Sequence, residues 1–312
     1  MEFFPNYNAG RSEAPGEWAR AREAEGWHGV AASDHFVTMN LSYPHLWVAL
    51  AEMALATRAI PLTSSFANNL FRSPVEFAQA ALSLQRVSNG RFEAGLGAGW
   101  IEDEIVRIGW RFPAGPERAG RYIEAMQIVR EIFDTGRCRF SGRHYQVDLD
   151  APGFASLASK PPLLVGSAGG PRTLREIPRF VDRIEVQPNA SATRGGSVDL
   201  AKSAAIGEAD VRDAIARVRR VREDVPIGMF VLTAAGPAAE IGPIRAPFGD
   251  GFLARFMGEP ASVAQALCDL EGLGVDRIQI TEMAPGTLER LRPLLPLRPV
   301  QSDPVGQAAA GR

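Results

Sequence analysis

The chain has 312 residues, with 34 lysines and arginines against 36 aspartates and glutamates, so it carries no long-range field to gather nucleic acid or anionic lipid. With 46% apolar and 22% charged residues, and no apolar run near the roughly 20 residues a bilayer helix needs, a globular protein outside the membrane is expected. Cys138 and Cys268 lie too far apart in sequence for a metal knuckle or redox pair, and no basic segment followed by an apolar stretch opens the chain, so cytoplasmic residence is the default expectation.

Strands alternating with amphipathic helices imply parallel strands joined by crossovers, and that alternation runs along the whole chain. Glu2 to Tyr7 reads as the first strand, Glu17 to Glu25 as a helix ending at Gly26, and Gly29 to Ser33 as the second strand. A helix near Tyr43 to Thr57, a strand Ile60 to Phe66, a helix capped by Ser73 with Pro74 in its first position, and a strand Phe92 to Leu96 come next. Tyr122, Met126, Val129 and Phe133 set one apolar stripe on a helix, and Phe140 to Tyr145 reads as a small hairpin. Strands follow at Pro161 to Val165, Arg183 to Val186, Ile227 to Leu232 and Arg277 to Ile280, with helices at Val211 to Val221 and Ala261 to Leu270. Eight strands and about eight helices predict an α/β fold of the (β/α)8 TIM-barrel type, which takes roughly 250 residues plus insertions. The surplus falls in connections at Gly97 to Glu117, Asp134 to Lys160, Pro188 to Gly207 and Ala234 to Gly258. One barrel domain over residues 1–297 with a loose tail at 298–312 is the expected organisation.

Four polar or glycine-rich clusters follow directly on predicted strands: Ser33 to Phe36, Ser65 to Asn69, Gly95 to Trp100 and Gly166 to Gly170. A barrel brings the C-terminal ends of all its strands to one face, where barrel enzymes keep their sites, so position makes these four one constellation. Taken alone, Gly95 to Gly99 serves a tight turn equally well, and its GxGxG spacing departs from the GxGxxG of a dinucleotide loop. Gly169-Gly170-Pro171-Arg172-Thr173 combines a helix start with a cation and reads as a phosphate cradle. His35, after Asp34 at a strand end, can exchange a proton near neutral pH, whereas four scattered histidines without His-x-His or His-Glu-x-x-His spacing argue against a metal site. The run Arg217, Arg219, Arg220 and Arg222 is flanked by acids on a helix and reads as a solvated face.

With these residues in place, the chain resembles the bacterial luciferase-like family of flavin and deazaflavin oxidoreductases. EAEGWHGVAASDHF at Glu23 to Phe36, FRSP and LSLQRVSNGRFEAGLGAGW up to Trp100, PPLLVGSAGGPRTL up to Leu174, and GEPASVAQALCDLEGLGVDRIQIT at Gly258 to Thr281 carry the likeness. The Asp-His pair and the GLGAGW block look most like the branch that uses coenzyme F420, a deazaflavin; FMN-dependent relatives share much of this pattern. The resemblance implies a TIM barrel, often dimeric, with hydride transfer to or from a small organic substrate; the connections Pro188 to Gly207 and Ala234 to Gly258, which would form the pocket, carry no group of convergent charges and point to a largely uncharged one. FMN at the same place would instead imply a monooxygenase, fed reduced FMN by a separate reductase, and a third reading is a non-catalytic flavin-binding barrel. It places Asp34, Asn68, Ala98, Gly99, Asp103, Gly169, Gly170, Arg172 and Thr173 around the cofactor, with Gly166 and Ser167 in the same strand-end cluster, and gives His35 the acid/base role. A cis peptide bond at Ser65-Phe66 behind the ring is also implied. Two departures mark the substrate side: Trp100 stands where sugar-phosphate dehydrogenases of the family carry a glutamate, and Met39 replaces an aromatic.

Overall fold

A computed structural model of the chain describes residues 1–38, 41–150, 152–154 and 157–298. Its strands are β1 (Glu2–Tyr7), β2 (Val30–Ala32), β3 (Leu62–Ser64), β4 (Phe92–Gly97), β5 (Leu163–Ala168), β6 (Arg183–Val186), β7 (Ile227–Ala235) and β8 (Arg277–Glu282). Each pairs in parallel with the next, and β8 returns to β1 in the register Arg277 with Glu2 to Ile280 with Pro5, so the sheet closes into a barrel. The outer layer is built from α1 (Pro15–Ala24), α2 (Leu46–Ala56), α3 (Pro74–Val87), α4 (Glu102–Arg107), α5 (Gly115–Thr135), α6 (Pro171–Glu176), α7 (Ala190–Thr193), α8 (Leu200–Ala204), α9 (Glu208–Val221), α10 (Ala238–Arg245), α11 (Pro260–Asp269) and α12 (Thr287–Leu291). Among the described residues no helix is long and apolar enough to cross a membrane.

Local chemistry sets the boundaries. Ser73 Oγ accepts the Glu76 N–H at 3.1 Å and Pro74 opens α3, while Gly136 at φ +71° closes α5. Tyr122, Met126, Val129 and Phe133 are all buried on the face α5 turns inward. Helix α2 starts at Leu46 rather than Tyr43 because the residue before Pro44 is held out of the helical region. Strand β5 begins two residues late, since Pro161 and Pro162 offer no N–H to a ladder, and runs on to Ala168 against β6. The connections at 97–117, 188–207 and 234–258 are not plain loops but carry α4, α7, α8 and α10. The hairpin pairs Cys138–Ser141 with Gln146–Leu149, and the expected tail lies from residue 299 onward outside the described residues.

Strand alternation sends Phe92, Ala94 and Leu96 to the helices and Glu93, Gly95 and Gly97 to the barrel interior. That interior is unusually polar. Arg277 on β8 reaches across to both oxygens of Glu93 on β4, one at 2.9 Å, bonds Glu2 at 2.9 Å, and lies 4.0 Å above the Phe4 ring. Glycines make the room: a Cβ on Gly29 would meet the Phe4 ring at 2.1 Å, and one on Gly228 would meet the Glu185 carboxylate at 2.2 Å. Glu185 and Gln279 are wholly buried, and neither Glu185 oxygen has a hydrogen-bond partner among the described residues. Burial pushes the Glu185 carboxyl up to about 7, against the opposing pull of Arg277 and Arg183 and with a further upward push from Glu93.

Two predictions follow from this interior. A carboxyl raised in the fold contributes stability that is complete below its unfolded value near 4.5 and is lost as pH rises through about 7. Glu185→Gln has no such group, so its stability relative to the wild type should improve by about 3 kcal/mol between those limits; a difference constant with pH in urea titrations would contradict this. Arg277→Met strands Glu93 and Glu185 in the barrel and should cost about 3 to 5 kcal/mol, read as a lowered urea midpoint.

Candidate active site

The C-terminal ends of the strands converge on one face, and the segments after β2, β3 and β4 are tied together there by two buried carboxylates. Asp34, after β2, accepts the Asn68 N–H at 2.7 Å and both terminal nitrogens of Arg72, one at 3.2 Å. Arg72 is itself held over the Trp47 ring at 5.6 Å, so Asp34 acts as the tie between two loops, with its oxygens committed to protein donors. Glu104, on α4, reaches back to the β2 loop: Oε2 lies 3.0 Å from His35 Nδ1, and Oε1 accepts the Phe36 N–H. Its side chain is 1% exposed. The His35 ring is flanked edge-on by Tyr43 at 5.1 Å and Trp100 at 6.4 Å.

The glycines of β4 allow β3 to close on this loop. A Cβ on Gly95 would lie 1.9 Å from the Ser64 carbonyl, and one on Gly97 would lie 3.1 Å from Phe66 Cβ. Gly99, at φ +78°, would place a Cβ 2.4 Å from Asn68 Oδ1, which is already accepting the Leu70 N–H at 2.9 Å. The GxGxG run is therefore a close-packing device between strands, with Ala98 half-buried beside it. The Ser65–Phe66 peptide bond is cis, as the family resemblance implies, and Ser65 Oγ is buried without a protein partner.

The other side of the mouth is cationic. Thr173 Oγ1 accepts the N–H groups of Gly169 and Gly170 at 3.4 and 3.2 Å and donates to the Gly170 carbonyl at 3.0 Å, which fixes the turn into α6. Arg172 leans on α5, bonding the Pro116 carbonyl at 3.4 Å and no other group among the described residues. A Cβ on Gly120 would sit 2.7 Å from His144 Nε2 and 3.4 Å from Arg172 Nη1, so glycine lets both side chains settle there. Arg121, the next residue of α5, stacks 5.2 Å from the Tyr145 ring, and Tyr145 in turn accepts from Asn69 Nδ2 at 3.2 Å. Among the described residues none of Arg121, His144 and Arg172 forms an ion pair, and Arg121 Nε is buried without a partner.

The expected residues therefore fall into distinct places. His35, Trp100, Asn68, Ala98, Gly99 and the Ser65-Phe66 bond gather on one side of the mouth, and Gly169, Gly170, Arg172, Thr173 and the half-buried Ser167 form the other. Asp103 does not join them: it is exposed on α4 and pairs with Arg107 at 2.8 Å. Gly166 faces outward, where a Cβ would collide with Ile177 and Val181 behind the sheet, so it serves packing against the helices. Met39 lies outside the described residues. Glu104, Arg72, Arg121 and His144 are the members that sequence reasoning passed over; the acidic start of α4 next to the glycine block was the available signal for Glu104. A groove of about 500 Å³ is found instead at the opposite, N-terminal end of β4, lined by Arg86, Lys160 and Glu93, away from these residues.

The geometry offers an imidazole at one side of an opening and, at the other, arginines without an ion pair among the described residues, an arrangement suited to a ring-bearing cofactor with an anionic tail. The orphaned Ser65 hydroxyl and Arg121 Nε are donors such a group would satisfy. Residues 4–240 match the luciferase-like monooxygenase family. This span includes residues 188–240, which carry none of the motifs quoted above, and stops before the Gly258 to Thr281 block. Among curated proteins, the chain is 31% identical over 159 residues to the F420-dependent glucose-6-phosphate dehydrogenase of Amycolatopsis mediterranei, covering 50% of this chain and 47% of that protein. It is 30% identical over 168 residues to the F420-dependent hydroxymycolic acid dehydrogenase of Mycobacterium tuberculosis, covering 53% and 46%. The chain thus spans about half the length of the curated relatives it matches. Among solved structures, an F420-dependent secondary alcohol dehydrogenase bound to an F420-acetone adduct superposes with a TM-score of 0.72 at 15% identity, covering 95% of this chain and 99% of that one. The monooxygenase RslO1 from Streptomyces bottropensis superposes with a TM-score of 0.71 at 17% identity, covering 94% and 96%. A family match over so much of the barrel is decisive where the structural likenesses show only the fold: the chain belongs to the luciferase-like monooxygenase family.

Proposed function

We propose that this protein is a coenzyme F420-dependent oxidoreductase acting on an uncharged alcohol or its carbonyl counterpart, with His35 exchanging the proton. The observation that carries the reading is the placement of His35 at the mouth, held by Glu104 and bordered by Tyr43 and Trp100. The F420-dependent dehydrogenases among the relatives support the cofactor and the reaction class. When bound, a deazaflavin supplies a ring carbon that takes or returns hydride as an electron pair. Everything else falls to the chain itself. Arg121 and Arg172 would hold an anionic tail by charge, with the His144 ring beside them, Ser65 and the backbone around Ala98 and Gly99 would border the cofactor ring, and His35 would hold or release the proton.

Substrate class follows from what borders His35. Phe36 and Phe71 stack at 4.3 Å, and Phe36, Val37 and Leu41 are exposed at 40%, 38% and 43%, an apolar rim whose neighbouring charges, Glu104 on the Phe36 N–H and Arg72 over the Phe71 ring, are turned inward and paired within the protein. Trp100 edges on the imidazole where an additional carboxylate would be needed for sugar-phosphate chemistry. An apolar alcohol fits this rim better than a phosphorylated sugar does. A reduced-FMN monooxygenase is the second reading, favoured by the description of the family itself.

Anaerobic mixing of protein, oxidised F420 and a panel of secondary alcohols tests the first reading, by loss of the visible absorbance of the oxidised deazaflavin. Oxygen uptake that depends on reduced FMN would instead establish the second. His35→Ala should lower turnover about 100-fold or more while cofactor affinity stays within about twofold, and unaltered turnover would remove His35 from the mechanism. Arg121→Ala and Arg172→Ala should each weaken cofactor binding about tenfold, as expected for a charge-assisted contact of roughly 1.4 kcal/mol; equal affinities of both variants and wild type in fluorescence titrations would displace the tail from this side.

A further inference from the structure

We infer that Glu104 is the positioning residue of the site: it holds His35 in the tautomer protonated on Nδ1, and so makes Nε2 the nitrogen that gives or takes the proton at the mouth. The inference rests on the proposed acid/base role of His35, but its first test needs neither cofactor nor substrate. A carboxylate accepts hydrogen bonds and cannot donate them. Both Glu104 oxygens face the β2 loop, Oε2 at 3.0 Å from Nδ1 and Oε1 on the Phe36 N–H, and the side chain is 1% exposed, so a lost donor would leave an oxygen shielded from bulk solvent. Hydrogen on Nδ1 satisfies Oε2; hydrogen on Nε2 alone would set the bare nitrogen against the carboxylate oxygen. Free imidazole prefers the other tautomer, so the protein has to impose this one.

Rotation of the ring is no escape. Tyr43 and Trp100 meet the imidazole edge-on from two directions, at interplanar angles of 62° and 88°, and turning it over would present a carbon to Glu104. Among the described residues nothing bonds Nε2. The proton exchange then balances simply: when a hydroxyl at the mouth gives up its proton, the O–H electron pair stays on oxygen, the proton goes to Nε2, and the resulting imidazolium charge lies beside the Glu104 carboxylate. The second bond, to the Phe36 N–H, locks the main chain next to His35, so one side chain fixes tautomer, ring orientation and loop together.

Glutamine at this position can accept from only one of the two donors and must point its own N–H2 at the other. The experiment is 15N NMR of the cofactor-free protein with labelled histidine, His35 being identified among the four histidines by a His35→Gln variant. The expected result is a neutral His35 protonated on Nδ1 in the wild type and on Nε2 in Glu104→Gln. Wild-type His35 protonated on Nε2 overturns the inference, and this reading does not depend on whether Glu104→Gln folds. In turnover, Glu104→Gln should lose about 10- to 100-fold in kcat and move the pH profile of kcat/KM, with KM and cofactor affinity little changed, while Glu104→Asp should recover part of the loss. An unmoved pH profile with an unmoved tautomer would reduce Glu104 to a loop anchor. Should the cofactor prove to be FMN, the tautomer result stands; should the tautomer be wrong while F420 binds, only this inference falls.

Discussion

A carboxylate removed from water must be surrounded by donors, and at the mouth of this barrel that requirement decides where the loops go. Glu104 leaves solvent at the start of α4 and finds its donors in the loop after β2, in His35 and the Phe36 main chain. Asp34 does the same toward the segment after β3, through Arg72 and the Asn68 N–H. Three consecutive strand ends are thereby coupled by two side chains. Losing either partner would leave a buried charge whose cost exceeds that of most contacts in a protein, so these loops are specified as firmly as the strands that carry them.

The same physics operates deeper in the barrel. Barrel interiors are usually filled by layers of branched apolar side chains. Here Arg277, Glu93 and Glu185 occupy that space, with Gly29 and Gly228 opposite the largest neighbours. Arg277 joins β8 to β4 across the axis, a contact between residues 184 apart in sequence. Such pairs add little net stability over apolar filling, yet they penalise any register that separates them. The interior thus contributes to specifying how the sheet closes, and the mouth inherits its geometry from that closure.

The order of elements was legible because it rests on local signals. Ser73-Pro74 caps a helix wherever it occurs, and the stripe Tyr122, Met126, Val129, Phe133 has one buried face whatever the topology. His35 and the glycine block could be singled out because strand ends of a barrel meet. What escaped was phase and partnership. The resemblance placed Asp103 at the cofactor, yet α4 turns Glu104 inward and leaves Asp103 paired with Arg107 in solvent; adjacent helical positions differ by about 100° in direction, and the start of so short a helix cannot be fixed by periodicity. Gly166 shows the analogous effect in a strand, where alternate residues face opposite sides and its Cβ position points to the helices. The partner of His35 lies 69 residues away, and Arg121 and His144 come together only because α5 packs against a hairpin. No single-sequence pattern carries such distances.

The proposed occupant of this mouth is a deazaflavin, with His35 as the proposed proton-exchanging group. The most direct test is a fluorescence titration of the cofactor-free protein with F420 and, in parallel, with oxidised and reduced FMN. Micromolar or tighter binding of F420 is expected, with at least tenfold weaker binding of either form of FMN, a difference of about 1.4 kcal/mol or more. The reverse preference would contradict this reading and make the protein a candidate flavin monooxygenase.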